Sequence, residues 1–332
     1  MLTSELDYAL PEALIAQKPA EPRDSSRLMV VDARTGDISH HVFRDLPGFL
    51  RSGDALVLNE TKVIPARLEA RRPGGGAVEL LFLRDLGGRW EVLARPSKRL
   101  RPGMKLLAGD EELDVVKPLG EGHWTVAAED VPALLERHGH MPLPPYIRAT
   151  PEAEARYQTV YARNAGSAAA PTAGFHFTPE VLEEAAKAGA EVARVTLHVG
   201  TGTFAPVRAE RLEEHRMHAE HYAVPEEAER IVREADRVVA AGTTVARTLE
   251  TWAASGEREG ESRLFVYPGY RWRAVDALLT NFHLPRSTLL AMVMSFGGTD
   301  LVREAYRVAV EDRYRFYSFG DAMLILNGGR SL

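Results

Sequence analysis

The sequence predicts a layered α/β domain interrupted by a small antiparallel β-barrel, and three observations carry that expectation. Strand-like and helix-like stretches alternate on both sides of a central region. Within that region, from about residue 66 to 128, the texture changes to short apolar runs separated by turn signals. The same stretch is strongly basic: residues 67–105 hold ten bases against four acids, in a chain whose net charge is −6. The expected division is 1–66 with 149–332 for the α/β part, and 67–148 for the inserted barrel.

The elements follow in order. Residues 28–32 and 55–59 read as short strands before the insertion. Inside it, PGGG (73–76), DLGG (85–88), AGDE (108–111) and PLGEG (118–122) separate strand-length runs at 77–83, 90–94, 104–107, 113–116 and 124–127. The proline-rich MPLPPYI (141–147) then reads as a linker. Thr150-Pro151 and Thr178-Pro179 are helix starts, a capping hydroxyl followed by proline at the first helical position, and Gly189 is a stop signal. Residues 192–199 form a strand by alternation. It places Val195, Leu197 and Val199 on one face and Arg194, Thr196 and His198 on the other. Pro225 opens a helix with Glu226 and Glu227 in its first turn. A strand at 238–241 leads into Gly242-Thr243-Thr244, where the next helix begins, and 264–267, 275–279 and 323–326 are further strands.

Composition narrows the function. With 332 residues, 45% hydrophobic and 27% charged, the chain is a soluble globular protein. No apolar run approaches the roughly eighteen residues of a membrane span. The N-terminal MLTSELDYALPEALIAQ carries acids where a signal peptide has bases, so a cytoplasmic location is expected. The absence of cysteine removes disulfides, thiolate nucleophiles and Cys-based metal sites, and no other metal-ligand set stands out. His215, His218 and His221 are spaced by three but lack an H-E-x-x-H pattern. There is no phosphate-binding P-loop. Gly200-Thr201-Gly202 lacks the third glycine of a dinucleotide loop and is followed by Pro206. Ser167 and Ser295 lack the nucleophile elbow of a hydrolase. Polar residues, glycines and histidines crowd instead into a few loops, where sites on α/β scaffolds are built.

Those loops carry a resemblance. LVLNETKVIPARL (56–68), YQTVYA (157–162), GSAAAPTAGFHFT (166–178), VTLHVGTGTFAPV (195–207), MHAEHY (217–222) and AAGTTVARTLE (240–250) resemble the S-adenosylmethionine:tRNA ribosyltransferase-isomerases of queuosine biosynthesis. LFVYPGY (264–270), DALLTNFHLPRSTLLAMVMSF (276–296) and YRFYSFGDAMLI (314–325) continue the match in order. Small departures occur. Ala219 and Val245 stand where the family pattern leads one to expect serine, and Ala168 and Ala246 where it has valine. Asn59-Glu60-Thr61-Lys62 replaces the commoner N-D-T-R.

The resemblance implies that adenosylmethionine donates its ribosyl moiety to 7-aminomethyl-7-deazaguanine at the wobble position of tRNA. Epoxyqueuosine-tRNA, adenine and methionine are the implied products. It further implies a cytoplasmic monomer whose partners are the tRNA anticodon loop and adenosylmethionine, a consumed substrate, with no cofactor, metal or membrane. Such chemistry needs acid and base groups, and His176, His198, His218, His283, Glu220 and Asp321 are the candidates. Thr172, Gly200, Gly202, Gly242, Thr243, Tyr267, Tyr270 and Asn281 are candidates for substrate binding. Arg247, near a helix start, is a candidate for the methionine carboxylate or a phosphate. Arg95, Lys98, Arg99 and Arg101, in RPSKRLRP, are candidates for tRNA phosphates. A conventional RNA methyltransferase and a non-catalytic RNA-binding module are the alternatives.

Overall fold

A computed structural model describes residues 1–200 and 207–327 of the chain. It begins with β1 (Arg27–Asp32), β2 (Ile38–Val42), β3 (Asp54–Asn59) and β4 (Thr61–Val63). Then come β5 (Arg67–Arg71), β6 (Ala77–Asp85), β7 (Trp90–Arg95), β8 (Lys105–Ala108), β9 (Glu111–Gly120) and β10 (His123–Ala127). The helix α1 (Val131–His138) and the short β11 (Gly139–His140) follow. The remainder is α2 (Pro151–Arg156), β12 (Asn164–Ser167), α3 (Pro179–Lys187), β13 (Glu191–Leu197), β14 (Glu220–Ala223), α4 (Glu226–Glu234) and β15 (Arg237–Ala241). It ends with α5 (Thr243–Ser255), β16 (Glu259–Ser262), β17 (Ala277–Asn281), α6 (Thr288–Gly297), α7 (Thr299–Glu311) and β18 (Ala322–Leu326).

Nine strands form the large sheet, in the order β16-β14-β13-β3-β15-β17-β18-β1-β2. At its centre β13, β3, β15 and β17 run parallel. Helices and loops cover both faces, so β3 and β17 are buried along their whole length and read as continuous apolar runs. Alternation still sorts the side chains. Val57, Ala240, Leu278 and Ile325 meet α4, α5, α6 and α7 on one face. Leu56, Leu58, Val239 and Leu279 meet α3 and the 43–49 segment on the other. Residues 264–267, expected as a strand, are irregular. Val266 is buried and its apolar neighbours seal the end of the core, while β16 pairs with β14.

The second body is a closed antiparallel barrel of β5-β6-β7-β10-β9-β8, completed by the Arg71–Leu107 pairing between β5 and β8. Val78, Leu80, Phe82, Val92, Leu106, Leu113 and Trp124 fill its interior. The chain enters the barrel through β4 and leaves it after β11, and the later strand β12 returns to pair with β4 in parallel. Closure without an exposed edge suits a short, loop-rich segment.

One buried carboxylate ties the helical layer to the sheet. Glu250 on α5 accepts N–H bonds from Arg273 (2.9 Å), Ala274 (2.8 Å) and Val275 (3.2 Å), and an O–H bond from Tyr270 (3.0 Å). Burial raises its pKa, and the bonds from the backbone oppose that shift. Glu250→Ala strands these donors in the core, so it is expected to cost about 3 kcal/mol or more. Urea unfolding followed by circular dichroism measures this; a loss below about 1 kcal/mol contradicts it.

Candidate active site

Open parallel sheets bind ligands beyond the carboxyl ends of their strands. Here those ends present Asn59 from β3, His198 after β13, Gly242 after β15 and Asn281 from β17. A small inner cavity lies beyond β15 and β17, lined by Thr172, Gly242, Thr243, Thr244, Asn281 and His283 among others. Gly242 has φ +113°, a conformation that glycine adopts without strain, and it starts α5 with no side-chain cap. The first amides of α5 therefore have no side-chain acceptor from the N-cap at the positive end of the helix dipole.

A hydrogen-bonded chain fixes Asn281. Thr172 donates its hydroxyl to Asn281 Oδ1 (2.9 Å), which leaves the Asn281 amide to donate to His176 Nε2 (3.1 Å). His176 Nδ1 then carries the proton and donates to Ser26 Oγ (2.7 Å). The His176 ring also stacks on Phe43 at 4.9 Å. Both ring nitrogens are spoken for, and His176 lines neither cavity. Burial lowers its pKa to about 3, helped by the nearby Arg315 and Arg23. It holds Asn281 in place. His283 does line the cavity; its Nε2 shares a hydrogen bond with Thr280 Oγ1 (2.7 Å), and burial lowers its pKa to about 3.

A larger cleft, about 1030 Å³, separates the barrel from the sheet. Leu83, Trp90 and His123 form part of the barrel wall, and His198, Gly200 and His218 lie opposite. Val199 borders both cavities, so they adjoin. The His198 Nδ1 shares a hydrogen bond with Thr61 Oγ1 (2.8 Å), and its ring stacks on His221 at 5.8 Å and 20°. Burial lowers the His198 pKa, and His221 lowers it further, so the ring is neutral at neutral pH. His218 is exposed in the cleft. His215, His218 and His221 do not share a helix: His215 lies in a loop and His221 in β14.

A family profile described as Queuosine biosynthesis protein matches residues 3–325. The chain belongs to that family. Relatives of this queuosine biosynthesis protein include one from Rubrobacter xylanophilus, 74% identical over 100% of both chains. Another, from Moorella thermoacetica, is 53% identical over 98% of this chain and 100% of its own. Both are named S-adenosylmethionine:tRNA ribosyltransferase-isomerase. A crystal structure of an S-adenosylmethionine tRNA ribosyltransferase from Thermotoga maritima is 41% identical, with a TM-score of 0.57, and covers 97% of this chain and 100% of that one.

Within this family member, the remaining candidates scatter. Glu220 lines the cleft, accepts the Gly200 N–H (2.7 Å) and forms a buried ion pair with Arg247. Burial lowers the Arg247 pKa to about 10, so it stays charged at neutral pH. Arg247 lines neither cavity. Asp321 is buried and clasped by Arg315, through Nη2 at 3.0 Å and the backbone N–H at 2.8 Å, away from both cavities. Tyr270 is committed to Glu250, and Tyr267 packs on the core against Phe265. Gly202 lies outside the described residues. Arg95, Lys98, Arg99 and Arg101 are exposed, and none pairs with a carboxylate among the described residues. Arg95 closes β7 at the end opposite Trp90, two residues beyond Leu93, whose register partner is the cleft-lining His123. Among the described residues one trio of possible metal ligands gathers, Asp110, Glu111 and His138; Arg137 already clasps Glu111 through two bonds of 2.8 and 2.7 Å.

Thr61, which holds His198, and the barrel-wall pair Glu91–His123 (2.9 Å) are not among the sequence candidates, and His221 figures there only in a metal spacing. The polar run Asn59 to Lys62, set directly against an apolar strand, was the available signal for the first.

The buried histidines predict an acid sensitivity. Unfolded histidine titrates near 6.5, whereas His176 and His283 do so at about 3 when folded. Between those values the unfolded chain binds more protons, so stability is full above about pH 6.5 and is lost as pH falls towards 3. Each residue contributes a slope of about 1.4 kcal/mol per pH unit. Urea midpoints recorded from pH 7 to 5 should fall steeply, and His176→Gln should make that fall shallower. An unchanged slope in the variant would mean that His176 titrates normally.

Proposed function

We propose that the chain transfers and isomerises the ribosyl moiety of S-adenosylmethionine onto 7-aminomethyl-7-deazaguanine at the wobble position of tRNA, giving epoxyqueuosine-tRNA. The observation that carries this reading is a cleft with room for a nucleotide, bearing a fixed neutral histidine and adjoining a smaller cavity at the strand ends, in a chain of this family.

The donor's sulfonium acidifies the neighbouring ribose carbon, and His198 Nε2 takes that proton as general base. The electron pair left behind opens the ring and expels adenine, which takes up a proton. The neutral aminomethyl nitrogen attacks and loses a proton. Closure to the epoxide then breaks the carbon–sulfur bond and releases methionine. Counting charges, the sulfonium cation and neutral amine give three neutral products and one released proton. Every step is redox-neutral, so adenosylmethionine serves as a consumed substrate with no redox partner.

The inner cavity, about 50 Å³, admits one end of the donor, and the remainder extends into the adjoining cleft. The first amides of α5, beyond Gly242, offer N–H groups to its carboxylate, and Asn281 and Thr172 line the same cavity. This assignment gives the carboxylate to the helix end and leaves Arg247 to hold Glu220. The cleft receives the extruded base of the anticodon loop. The exposed loop at 95–101, beyond the end of β7, contacts phosphates of the tRNA.

Incubation of the protein with tRNA bearing the aminomethyl base and with labelled adenosylmethionine tests the function. Release of free adenine is expected. S-adenosylhomocysteine would instead reveal a methyltransferase, and RNA binding without turnover a non-catalytic module. In the same assay His198→Gln is expected to slow turnover about 10²–10⁴-fold with little change in melting temperature; near-normal turnover would make His198 structural. Replacing Arg95, Lys98, Arg99 and Arg101 by alanine should weaken RNA binding and flatten its salt dependence, by about one unit of slope for each phosphate no longer neutralised. An unchanged salt slope would move the RNA footprint off the barrel loop.

A further inference from the structure

We propose that Thr61 is a positioning residue for the reaction: its hydroxyl holds the His198 imidazole in one tautomer and orientation, leaving Nε2 as the atom that meets the substrate. This rests on the reading of His198 as the base.

The argument starts from a residue choice. Thr61 is fully buried on the three-residue β4, a setting that favours valine, of nearly the same shape. A buried hydroxyl costs stability unless it is hydrogen-bonded. The Thr61 hydroxyl donates to the Asn164 carbonyl at 3.5 Å, the limit of a hydrogen bond, which leaves its lone pairs to accept from His198 Nδ1–H at 2.8 Å. The backbone around it is also pinned. Thr61 donates its N–H to Asn59 Oδ1 (3.1 Å) and pairs in register with Asn164 of β12. The hydroxyl therefore has little freedom to move away.

The imidazole is confined on its remaining sides. The backbone N–H of His198 donates to the His221 carbonyl (3.0 Å), and the His221 ring lies nearly parallel to its own. Gly166 sits against the ring with φ +141°; a Cβ there would lie 3.1 Å from both Cε1 and Nε2. A side chain there would crowd the ring and strain the backbone, and glycine does neither. Nε2 has no hydrogen-bonding partner among the described residues, and His198 lines the cleft. One nitrogen is thus anchored and the other is available. A base needs that division, because a ring in the wrong tautomer presents a proton where it should present a lone pair.

The test compares Thr61→Val, which keeps the shape and removes the hydroxyl, with Thr61→Ser, which keeps the hydroxyl. Turnover and KM for adenosylmethionine are measured from pH 5 to 9. The other ionisable groups that line the cleft, among them Lys62, Glu91, His123, His218, Glu220 and His221, are the same in all three proteins, so differences in pH profile report on His198. Thr61→Val is expected to lower kcat about tenfold to a hundredfold, leave KM within about twofold, and displace the acid limb of the profile. Thr61→Ser should restore most of the loss. Nitrogen NMR of the His198 ring in the unaltered protein should show a single tautomer, which gives a reading even if the valine variant does not fold. Wild-type kcat and profile in Thr61→Val, equal impairment of both variants, or a mixture of tautomers would each overturn the proposal. If His198→Gln retains activity, the base reading itself falls; if that variant is slow while Thr61→Val is not, only the positioning role falls.

Discussion

Asn59 lies where β13 parts from β3, and its carboxamide replaces the backbone bonds that the parting removes. The parallel pairing runs as far as Val195 opposite Asn59; beyond it, β13 turns to pair with β14. Leu197 would then leave its N–H and C=O unmet on the β3 side. The Asn59 side chain takes both, accepting from Leu197 N–H (3.1 Å) and donating to its carbonyl (3.1 Å). The same amide reaches Thr244 Oγ1 at the start of α5 (3.3 Å), and Oδ1 also accepts the Thr61 N–H. One buried side chain thus permits the sheet to split, sends β4 towards the barrel, and carries His198 into the opening.

Charge is handled differently at each depth of this opening. Deep inside, Glu220 and Arg247 neutralise one another, and the Gly200 N–H is held by the same carboxylate. Isolated, either charge would be expensive so far from water; paired, they brace the floor of the cleft. The histidines nearby are kept neutral by burial, in His176 and His283 far more than in His198. The gradient separates framework from chemistry. A ring whose pKa sits near 3 cannot exchange protons usefully at neutral pH, while one lowered less, and open to the cleft, can.

The large sheet was legible because its central strands are buried on both faces. Runs such as Ala55 to Leu58 and Val238 to Ala241 leave little ambiguity. Thr150 and Thr178 marked their helices by cap chemistry, since each side chain accepts the backbone N–H three residues on. The barrel showed itself through its turns. Pieces of three or four residues with mixed polarity, β4, β12 and β14, carried no comparable pattern, and they are the ones that build the cleft. Partners distant in sequence were equally hidden. Nothing near Arg247 announces Glu220, and Tyr270 reads as a stacking surface until Glu250 is seen beneath it. Histidines could be picked out as a class, but their roles depend on burial and on which nitrogen is tied, and both are set by tertiary contacts.

The pairing of β4 with β12 bears on how the two bodies move. The strand that leads into the barrel is laced to one that lies beyond the insertion, Thr61 against Asn164 and Lys62 against Ala165. A single tether would let the barrel swivel freely; a laced pair resists torsion and yields mainly by bending. That laced pair has its first rung at Thr61, whose hydroxyl meets the imidazole, and its second at Lys62, which lines the cleft. One short strand thus belongs both to the wall of the cleft and to the support of the base.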